Sequence, residues 1–207
     1  MSHLPNERTV FCDIETAGLG VGCPIIQIAA VAVDARLREL ETFEVKIRFQ
    51  VDGRSRKSAV VRCFEPTVWK RLARQPRDAA RQFAEFLRRH ATIDRVSARP
   101  GRPYRVAQLA AHNADFDGPR LRHWFRRQNQ YFPASRRVLC TLQRALWLFH
   151  EETTLTPPAD YRLPTLCEYF GVPLGRDQQH DALADVRATV ALYRAMTKVA
   201  SSANLAA

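Results

Sequence analysis

The sequence contains no apolar run of about 18 residues, the length that a helix needs to cross a bilayer. Its first ten residues, MSHLPNERTV, also lack the apolar core of a secretory signal peptide. The two absences predict a soluble protein that is cytoplasmic or nucleoid-associated and has no membrane partner.

Cysteine is sparse and shows no pairing pattern. The five cysteines lie at positions 12, 23, 63, 140 and 167, and no two of them have CxxC spacing. An odd number without that spacing argues against a disulfide framework and against a zinc knuckle. We expect small buried thiols instead.

Lysine is scarce as well, although the chain is strongly basic. Only four of the 32 basic residues are lysine, which leaves 28 arginines, and the net charge is +11. Guanidinium groups bind phosphate oxygens in pairs and stack on bases, so this charge favours a polyanionic partner. A solvated basic surface without such a partner stays an alternative.

The 207 residues are enough for one sizeable core. We expect a single domain over 9–200, with flexible segments at 1–8 and 201–207. Hydrophobic periodicity predicts strands at 9–14, 25–33, 41–49, 106–112 and 137–140, and helices at 66–75, 77–90, 118–128, 141–150, 163–170 and 181–200. This order predicts an α/β fold with a mixed sheet, its first three strands antiparallel, flanked by helices. Basic loops are expected at 51–62 and 94–105.

Two acids mark the end of the first predicted strand. Asp13 lies in the apolar run VFCDI, and Glu15 follows two positions later. Residues i and i+2 of an extended chain point to the same side, so both carboxylates should project together. Like charges beside a buried sheet are unfavourable unless a cation or strong donors compensate them. A strand that simply ends in water is the alternative.

A second acidic segment follows the predicted strand 106–112, in the sequence HNADFDGPRL. Asp117 can cap the next helix, and Asp115 can serve the same purpose. If this strand lies parallel to the first, its helix starts near the carboxyl end of the first strand, where open α/β sheets bind ligands. Asp117 then shares a crevice with Asp13 and Glu15.

The last predicted helix opens with HDALAD, residues 180–185. An acid near a helix start suits the helix dipole, and a histidine there is commonly only a polar end residue. If this helix packs across the same sheet edge, Asp185 becomes a fourth carboxylate, and His180 lies about one and a half turns before it. Four carboxylates on a chain of charge +11 suit hard divalent cations, which take oxygen ligands.

Three motifs resemble those of the DnaQ-like exonucleases in the DEDD superfamily, the group that includes the epsilon proofreading subunit of DNA polymerase III and RNase T. They are VFCDIETAGLG, AHNADFD and HDALADVRAT, the last with Val186 where the family has alanine. Because His180 rather than a tyrosine precedes the last aspartate, the chain resembles the histidine, or DEDDh, branch. The resemblance implies a ribonuclease H-like fold with a five-stranded sheet.

The resemblance also implies roles for individual residues. It assigns Asp13, Glu15, Asp117 and Asp185 to the binding of two Mg²⁺ or Mn²⁺ ions. It assigns His180 to the removal of a proton from the attacking water.

Substrate contacts are implied for a second set of residues. Thr16 and the Gly18–Leu19 turn resemble the segment that holds the terminal nucleotide, with Leu19 against the base. His112 and Asn113 match motif positions near the substrate.

The activity implied is stepwise hydrolysis of DNA from a 3′ end, releasing nucleoside 5′-monophosphates, in proofreading, repair or end trimming. Single-stranded DNA is the expected partner. An exoribonuclease of the RNase T type and a non-catalytic nucleic-acid-binding module on the same fold are the alternatives. Association with a polymerase or another protein is left open, as is the oligomeric state.

Overall fold

The computed structural model describes residues 7–50, 64–97, 101–174 and 182–206, with side chains as far as residue 200. Strands and helices alternate after a strand-rich beginning. The strands are β1 (Thr9–Thr16), β2 (Ile25–Val33), β3 (Glu39–Lys46), β4 (Ile93–Val96), β5 (Pro103–Val106), β6 (Gln108–Ala111) and β7 (Leu139–Cys140). The helices are α1 (Pro66–Leu72), α2 (Pro76–Arg89), α3 (Ala114–Arg127), α4 (Thr141–Glu151), α5 (Leu163–Tyr169) and α6 (Ala182–Ala206).

The main sheet has five strands in the order β3-β2-β1-β6-β7. The pairs β1–β2 and β2–β3 are antiparallel, whereas β6 is parallel to β1 and β7 is parallel to β6. The predicted α/β class, the mixed five-stranded sheet and the antiparallel first three strands are confirmed. β2 is buried along its whole length, which explains its nearly unbroken apolar sequence.

Helices cover both faces of this sheet and bury alternate residues of β1. On one face, Val10, Cys12 and Ile14 join a core with α2 and α3. On the other face, Phe11 packs with α6, which contributes three buried side chains, Ala182, Val186 and Val190. A third apolar cluster joins α4, α5 and α6 to one another.

A two-stranded ribbon replaces part of the predicted 94–105 loop. β4 and β5 are antiparallel, and Asp94 lies opposite Arg105. The Arg105 Nε donates to Asp94 Oδ1 over 2.8 Å, a cross-strand ion pair that favours this register. The other predicted basic loop, 51–62, lies outside the described residues, as do residues 98–100.

The strand predicted at 106–112 is interrupted at Ala107. There the backbone pairs with a different segment, since Ala107 N–H donates to Pro133 O and Ser135 N–H donates to Ala107 O. The chain thus leaves the ribbon at Val106 and enters the main sheet at Gln108. Such a change of partner has no hydrophobic signal in the sequence.

Three helix boundaries also differ from those predicted. α3 begins at Ala114, four residues earlier than expected, and α6 continues to Ala206. The helix predicted at 66–75 ends at Leu72, because Ala73 is extended and Arg74 exchanges backbone hydrogen bonds with Lys46 and Arg48. In the described part of the chain, no helix is both long and apolar enough to cross a membrane. The described cysteines are free thiols.

The core between the sheet and α2 should dominate stability. Phe83 is fully buried and its ring lies 5.1 Å from that of Phe43 and 6.3 Å from that of Phe125. We expect Phe83→Ala to lower the free energy of unfolding by about 3–5 kcal/mol, as for other large aromatic truncations. Val96→Ala, at a side chain 73% exposed, should change it by less than about 0.5 kcal/mol. Urea unfolding of both variants measures the difference, and equal midpoints would contradict this account of the core.

Candidate active site

β1 places two acids on the face that α6 covers. The alternation that buries Phe11 against α6 also directs Asp13 and Glu15 to this side. The Phe11 ring lies 5.8 Å from that of Tyr193, which fixes the helix over the strand. Both acids are half-buried, and the expected projection to one side is observed.

α6 brings a third acid to the same place. Val186 and Val190 are buried against the sheet, and Asp185 precedes Val186 in the first turn of the helix. Carboxylate oxygens of Asp13, Glu15 and Asp185 all lie within 4.8 Å of one another. Two elements far apart in sequence thus meet at one acidic site.

Asp117 reaches this site from the opposite face of the sheet. It lies in the first turn of α3, is only 2% exposed, and accepts a hydrogen bond from the backbone N–H of Ile14. This N–H is available because the pairing of β6 with β1 ends at Phe11. The residue that caps α3 is Asn113, so the alternative explanation of Asp117 as a helix cap is wrong.

One oxygen of Asp117 is left unsatisfied. Its Oδ1 is buried and has no hydrogen-bond partner among the residues that the structure describes. A buried acceptor of this kind is unfavourable unless a ligand completes it. Asp117 does not belong to the group whose oxygens lie within 4.8 Å, although its charge acts on Asp13.

Burial and mutual repulsion raise the pKa of these acids. Burial raises the pKa of Asp13 well above its usual value, and the charges of Asp117, Glu15 and Asp185 raise it further. Burial, with repulsion from Asp185, raises the pKa of Glu15 to about 7. Burial also raises the pKa of Asp117 to about 7, although the Ile14 hydrogen bond and the Arg120 charge act in the opposite direction.

The same charges affect two neighbouring thiols. Burial raises the pKa of Cys12 well above its usual value, and Asp117 and Asp13 add to the effect. Burial and the charge of Asp185 raise the pKa of Cys167 to about 11. Both thiols are therefore protonated near neutral pH, and the ligands that this site offers are oxygen atoms.

This set of donors fits hard divalent cations. Mg²⁺ and Mn²⁺ prefer carboxylate oxygens, and a bound cation would relieve the repulsion that raises these pKa values. The unsatisfied Asp117 Oδ1 is a further acceptor for a cation or for one of its water ligands. The agreement with a divalent cation depends only on the carboxylate oxygens of the four acids.

A turn directly after β1 borders the acids. The Thr16 hydroxyl donates to Gly18 O over 2.7 Å, and Leu19 is 80% exposed at the tip. A Cβ on Gly18 would lie 2.8 Å from Cys23 Sγ, so a larger residue would push the turn open. Leu19 is thus exposed to solvent four residues after Glu15, where an apolar side chain can meet a ligand.

His112, directly after β6, connects the sheet to α4 and to the segment that precedes α5. Its Nε2 donates to Tyr161 O over 3.0 Å, and its Nδ1 lies 2.9 Å from Thr141 Oγ1. Burial lowers the pKa of His112, so the ring is neutral near pH 7. Asn113 is exposed and takes the left-handed conformation, φ 63°, at the turn into α3. His112 therefore contacts protein groups, whereas Asn113 faces solvent.

Sequence reasoning missed Arg120. This side chain is 7% exposed, and its guanidinium lies 3.5 Å from the ring centroid of Phe116. The signal available was its position three residues after Asp117, on the same side of α3. His180 lies outside the described residues, so its predicted role stays a prediction.

The raised pKa of Asp117 predicts a pH-dependent stability difference. The folded value of about 7 exceeds the unfolded value of about 3.9, so the ionised acid destabilises the metal-free protein above pH 7. We expect Asp117→Asn to be more stable than the wild type at pH 8 by roughly 2–4 kcal/mol. As the pH falls from about 7 to about 4, this advantage should disappear, because the wild-type acid takes up its proton.

Urea unfolding in EDTA at several pH values measures this difference. The exposed Asp115→Asn serves as the control, since it removes a charge from the same helix turn. An advantage of Asp117→Asn that persists unchanged at pH 4 would contradict the electrostatic explanation.

The sequence of the second half of the chain matches a known family. Residues 101–193 match the RNase_T family model, which is described as exonuclease. This region contains the second and third motifs and ends beyond Asp185, whereas Asp13 and Glu15 precede it. No curated protein sequence matches the chain significantly.

The fold is similar to that of exonuclease I. The zinc-bound complex of E. coli exonuclease I with single-stranded DNA matches with a TM-score of 0.71 at 18% identity, over 93% of this chain and 41% of that chain. Exonuclease I in complex with SSB-Ct matches with a TM-score of 0.69 at 19% identity, over 93% of this chain and 41% of that chain. The E. coli enzyme in complex with a dT13 oligonucleotide matches with a TM-score of 0.67 at 19% identity, over 90% of this chain and 40% of that chain.

The chain thus spans about two fifths of the length of these exonuclease I chains. At these identities the structural likeness establishes the fold. Taken with the family match over residues 101–193, it shows that the chain resembles the DnaQ-like exonucleases.

Proposed function

We propose that the protein is a 3′-to-5′ exonuclease that hydrolyses single-stranded DNA with the help of two divalent metal ions. The observation that carries the proposal is the meeting of Asp13, Glu15 and Asp185 within 4.8 Å, with the buried Asp117 beside them. A protein that only binds nucleic acid has no use for acids facing a phosphate backbone, since they repel it.

The four acids would hold Mg²⁺ or Mn²⁺. When bound, such ions supply two effects, a lower pKa of the attacking water and a stabilised charge on the leaving 3′ oxygen. Asp13 and Glu15 on β1 and Asp185 on α6 present their oxygens from two sides. Asp117 would complete the site from the opposite face of the sheet.

His180 is proposed as the group that takes the proton of the attacking water. An imidazole with an ordinary pKa near 6.5 can accept a proton near neutral pH. The proposal rests on the HDALAD motif, five residues before Asp185.

The turn between β1 and β2, residues 17–24 (the 17–24 turn), would hold the terminal nucleotide. Leu19 is exposed four residues after Glu15 and can pack against a base, while Thr16 and Gly18 set the shape of the turn. Asn113 faces solvent at the start of α3 and is free to approach the substrate. His112 would act indirectly, by holding α4 and the segment before α5 at the end of β6.

Single-stranded DNA is the proposed substrate for two reasons. The charge of +11 suits a phosphate backbone, and unpaired bases are available to an exposed apolar side chain such as Leu19. Exonuclease I, which shares this fold, forms complexes with single-stranded DNA and with dT13.

The proposal predicts the direction, the metal requirement and the substrate preference of the reaction. With Mg²⁺ or Mn²⁺, a 5′-labelled single-stranded DNA should shorten stepwise, whereas a 3′-labelled one should release labelled mononucleotide at once. EDTA should stop the reaction. Gel analysis of labelled DNA and RNA, single- and double-stranded, measures all three properties. Faster degradation of RNA would favour the exoribonuclease alternative, and cleavage that persists after thorough metal removal would contradict the proposal.

Acid variants serve as controls in this assay. Asp13→Asn and Asp185→Asn should abolish turnover and weaken Mn²⁺ binding in calorimetry, because each removes an oxygen charge from the site. Asp115→Asn alters an exposed acid near Asp117 and should keep normal turnover.

His180→Ala should separate proton transfer from metal binding. We expect the rate to fall by roughly 10²–10⁴, the usual range for a lost general base, while Mn²⁺ affinity stays nearly unchanged. The wild-type rate should rise between about pH 5.5 and 7.5 as the imidazole loses its proton, and the variant should lack this rise. Rate profiles at saturating metal and calorimetry measure both effects. If the variant keeps the wild-type rate and pH profile, His180 is only a polar residue before α6 and has no role in proton transfer.

A further inference from the structure

The tip of the 17–24 turn has little support from the hydrophobic core, whereas Ala17 at its base is buried with Ile26, Trp69 and Ala73. Leu19 is 80% exposed and Val21 is 47% exposed. Within the turn, Ala17 N–H donates to Pro24 O over 2.8 Å and Cys23 N–H donates to Gly20 O over 3.0 Å. A cleft of about 480 Å³ opens beside it, lined in part by Val21, Cys23 and His123. Apolar packing therefore fixes the base of the turn at Ala17 and does not determine where its exposed tip, residues 19–22, lies.

Two arginines of α3 connect to the turn. Arg120 Nη2 donates to Leu19 O, and Arg127 Nη1 donates to Gly22 O over 3.2 Å. The two residues are seven positions apart, which places them two helical turns apart on one side of α3. Each guanidinium thus binds a backbone carbonyl of the turn from the same rigid helix.

Arg120 also binds its own helix near the acidic site. Its Nη1 donates to Phe116 O over 2.8 Å, and its guanidinium lies over the Phe116 ring. Phe116 immediately precedes Asp117. The planar guanidinium of Arg120 is hydrogen-bonded through both Nη atoms, and the residue is only 7% exposed, so the group keeps one orientation. It therefore sets the distance between Leu19 and the start of α3.

We propose that Arg120 and Arg127 are positioning residues that hold the 17–24 turn against α3 and thereby place Leu19 relative to Asp117. The inference rests on the proposed function, in which Leu19 contacts the terminal nucleotide. It gives two arginines of this arginine-rich chain a role other than binding phosphate: their donors bind carbonyl oxygens of the protein. Loss of either contact leaves the acids in place and displaces the turn.

The turn can be measured in the free protein by amide hydrogen exchange. Arg127 is exposed, so Arg127→Met should leave the fold intact. We expect exchange in residues 19–23 to become roughly 5-fold faster, the change expected for one lost hydrogen bond. Arg126→Met removes the same charge from the neighbouring exposed position and should leave this exchange unchanged. Equal exchange in the two variants would overturn the proposal.

Kinetics then separates positioning from direct phosphate contact. On a single-stranded DNA substrate, Arg127→Met should raise KM roughly 5-fold with little change in kcat, because a displaced turn weakens binding of the terminal nucleotide. In a Leu19→Ala background the same change should raise KM less than about 2-fold, since the residue being positioned is gone. Fully additive effects would show that Arg127 contacts the substrate itself, and would overturn the proposal.

Arg120→Lys provides a second variant that keeps the charge in this buried position. An ammonium cannot reproduce the planar fork that donates to both Leu19 O and Phe116 O. Faster exchange in residues 19–23 with unchanged Mn²⁺ affinity is expected, and wild-type exchange would overturn the role of Arg120. If the wild-type protein cleaves no oligonucleotide, the proposed function fails, and the exchange measurements still decide whether these arginines hold the turn.

Discussion

β1 lies between β2 and β6 and presents two chemically different faces. One face buries apolar side chains such as Ile14 under α2 and α3, and the other carries Phe11, Asp13 and Glu15 beneath α6. Because side chains alternate with a period of two, a shift of one residue would exchange the faces and bury both acids among aromatic rings. The long antiparallel register with β2 prevents this shift and so determines the core and the acidic site together.

The acidic site lowers the stability of the fold that holds it. Raised pKa values mean that the ionised acids are less favourable here than in water, and the apolar clusters on both faces of β1 offset this difference. An arginine inserted among the acids would neutralise them and occupy the space of a cation. Arg120 lies close enough to attract Asp117, yet its Nη donors are directed to backbone carbonyls. The acids thus keep oxygens available for a ligand.

The sequence predicted those parts of the fold that depend on short-range patterns. Alternation and apolar runs located β1 and β2, and the order of elements predicted the mixed sheet. The position of Asp13 and Glu15 on one side of β1 followed from the strand period alone. That Asp185 lies beside them depends on how α6 packs, which only the family resemblance could indicate beforehand.

Other features depend on contacts between distant residues and left no local signal. The β4–β5 ribbon is supported by a cross-strand pair between Asp94 and Arg105, in a segment that was predicted as a basic loop. The break at Ala107 depends on backbone bonds to residues 133–135. Arg120 reads as one more basic residue of the chain, since its partner Leu19 O lies 101 positions away.

The outermost position of β3 in the described sheet affects how separate copies of the chain meet. An edge strand with open backbone groups can add a strand from another molecule and start aggregation. β3 carries Glu39, Glu41, Glu44 and Lys46 among its eight residues. Arg187 of α6 pairs with Glu39, and Arg89 of α2 pairs with Glu41, so helices on both faces anchor charges along this edge. Charged side chains held in this way discourage an incoming strand, and the sheet can end in solvent while the protein stays dispersed.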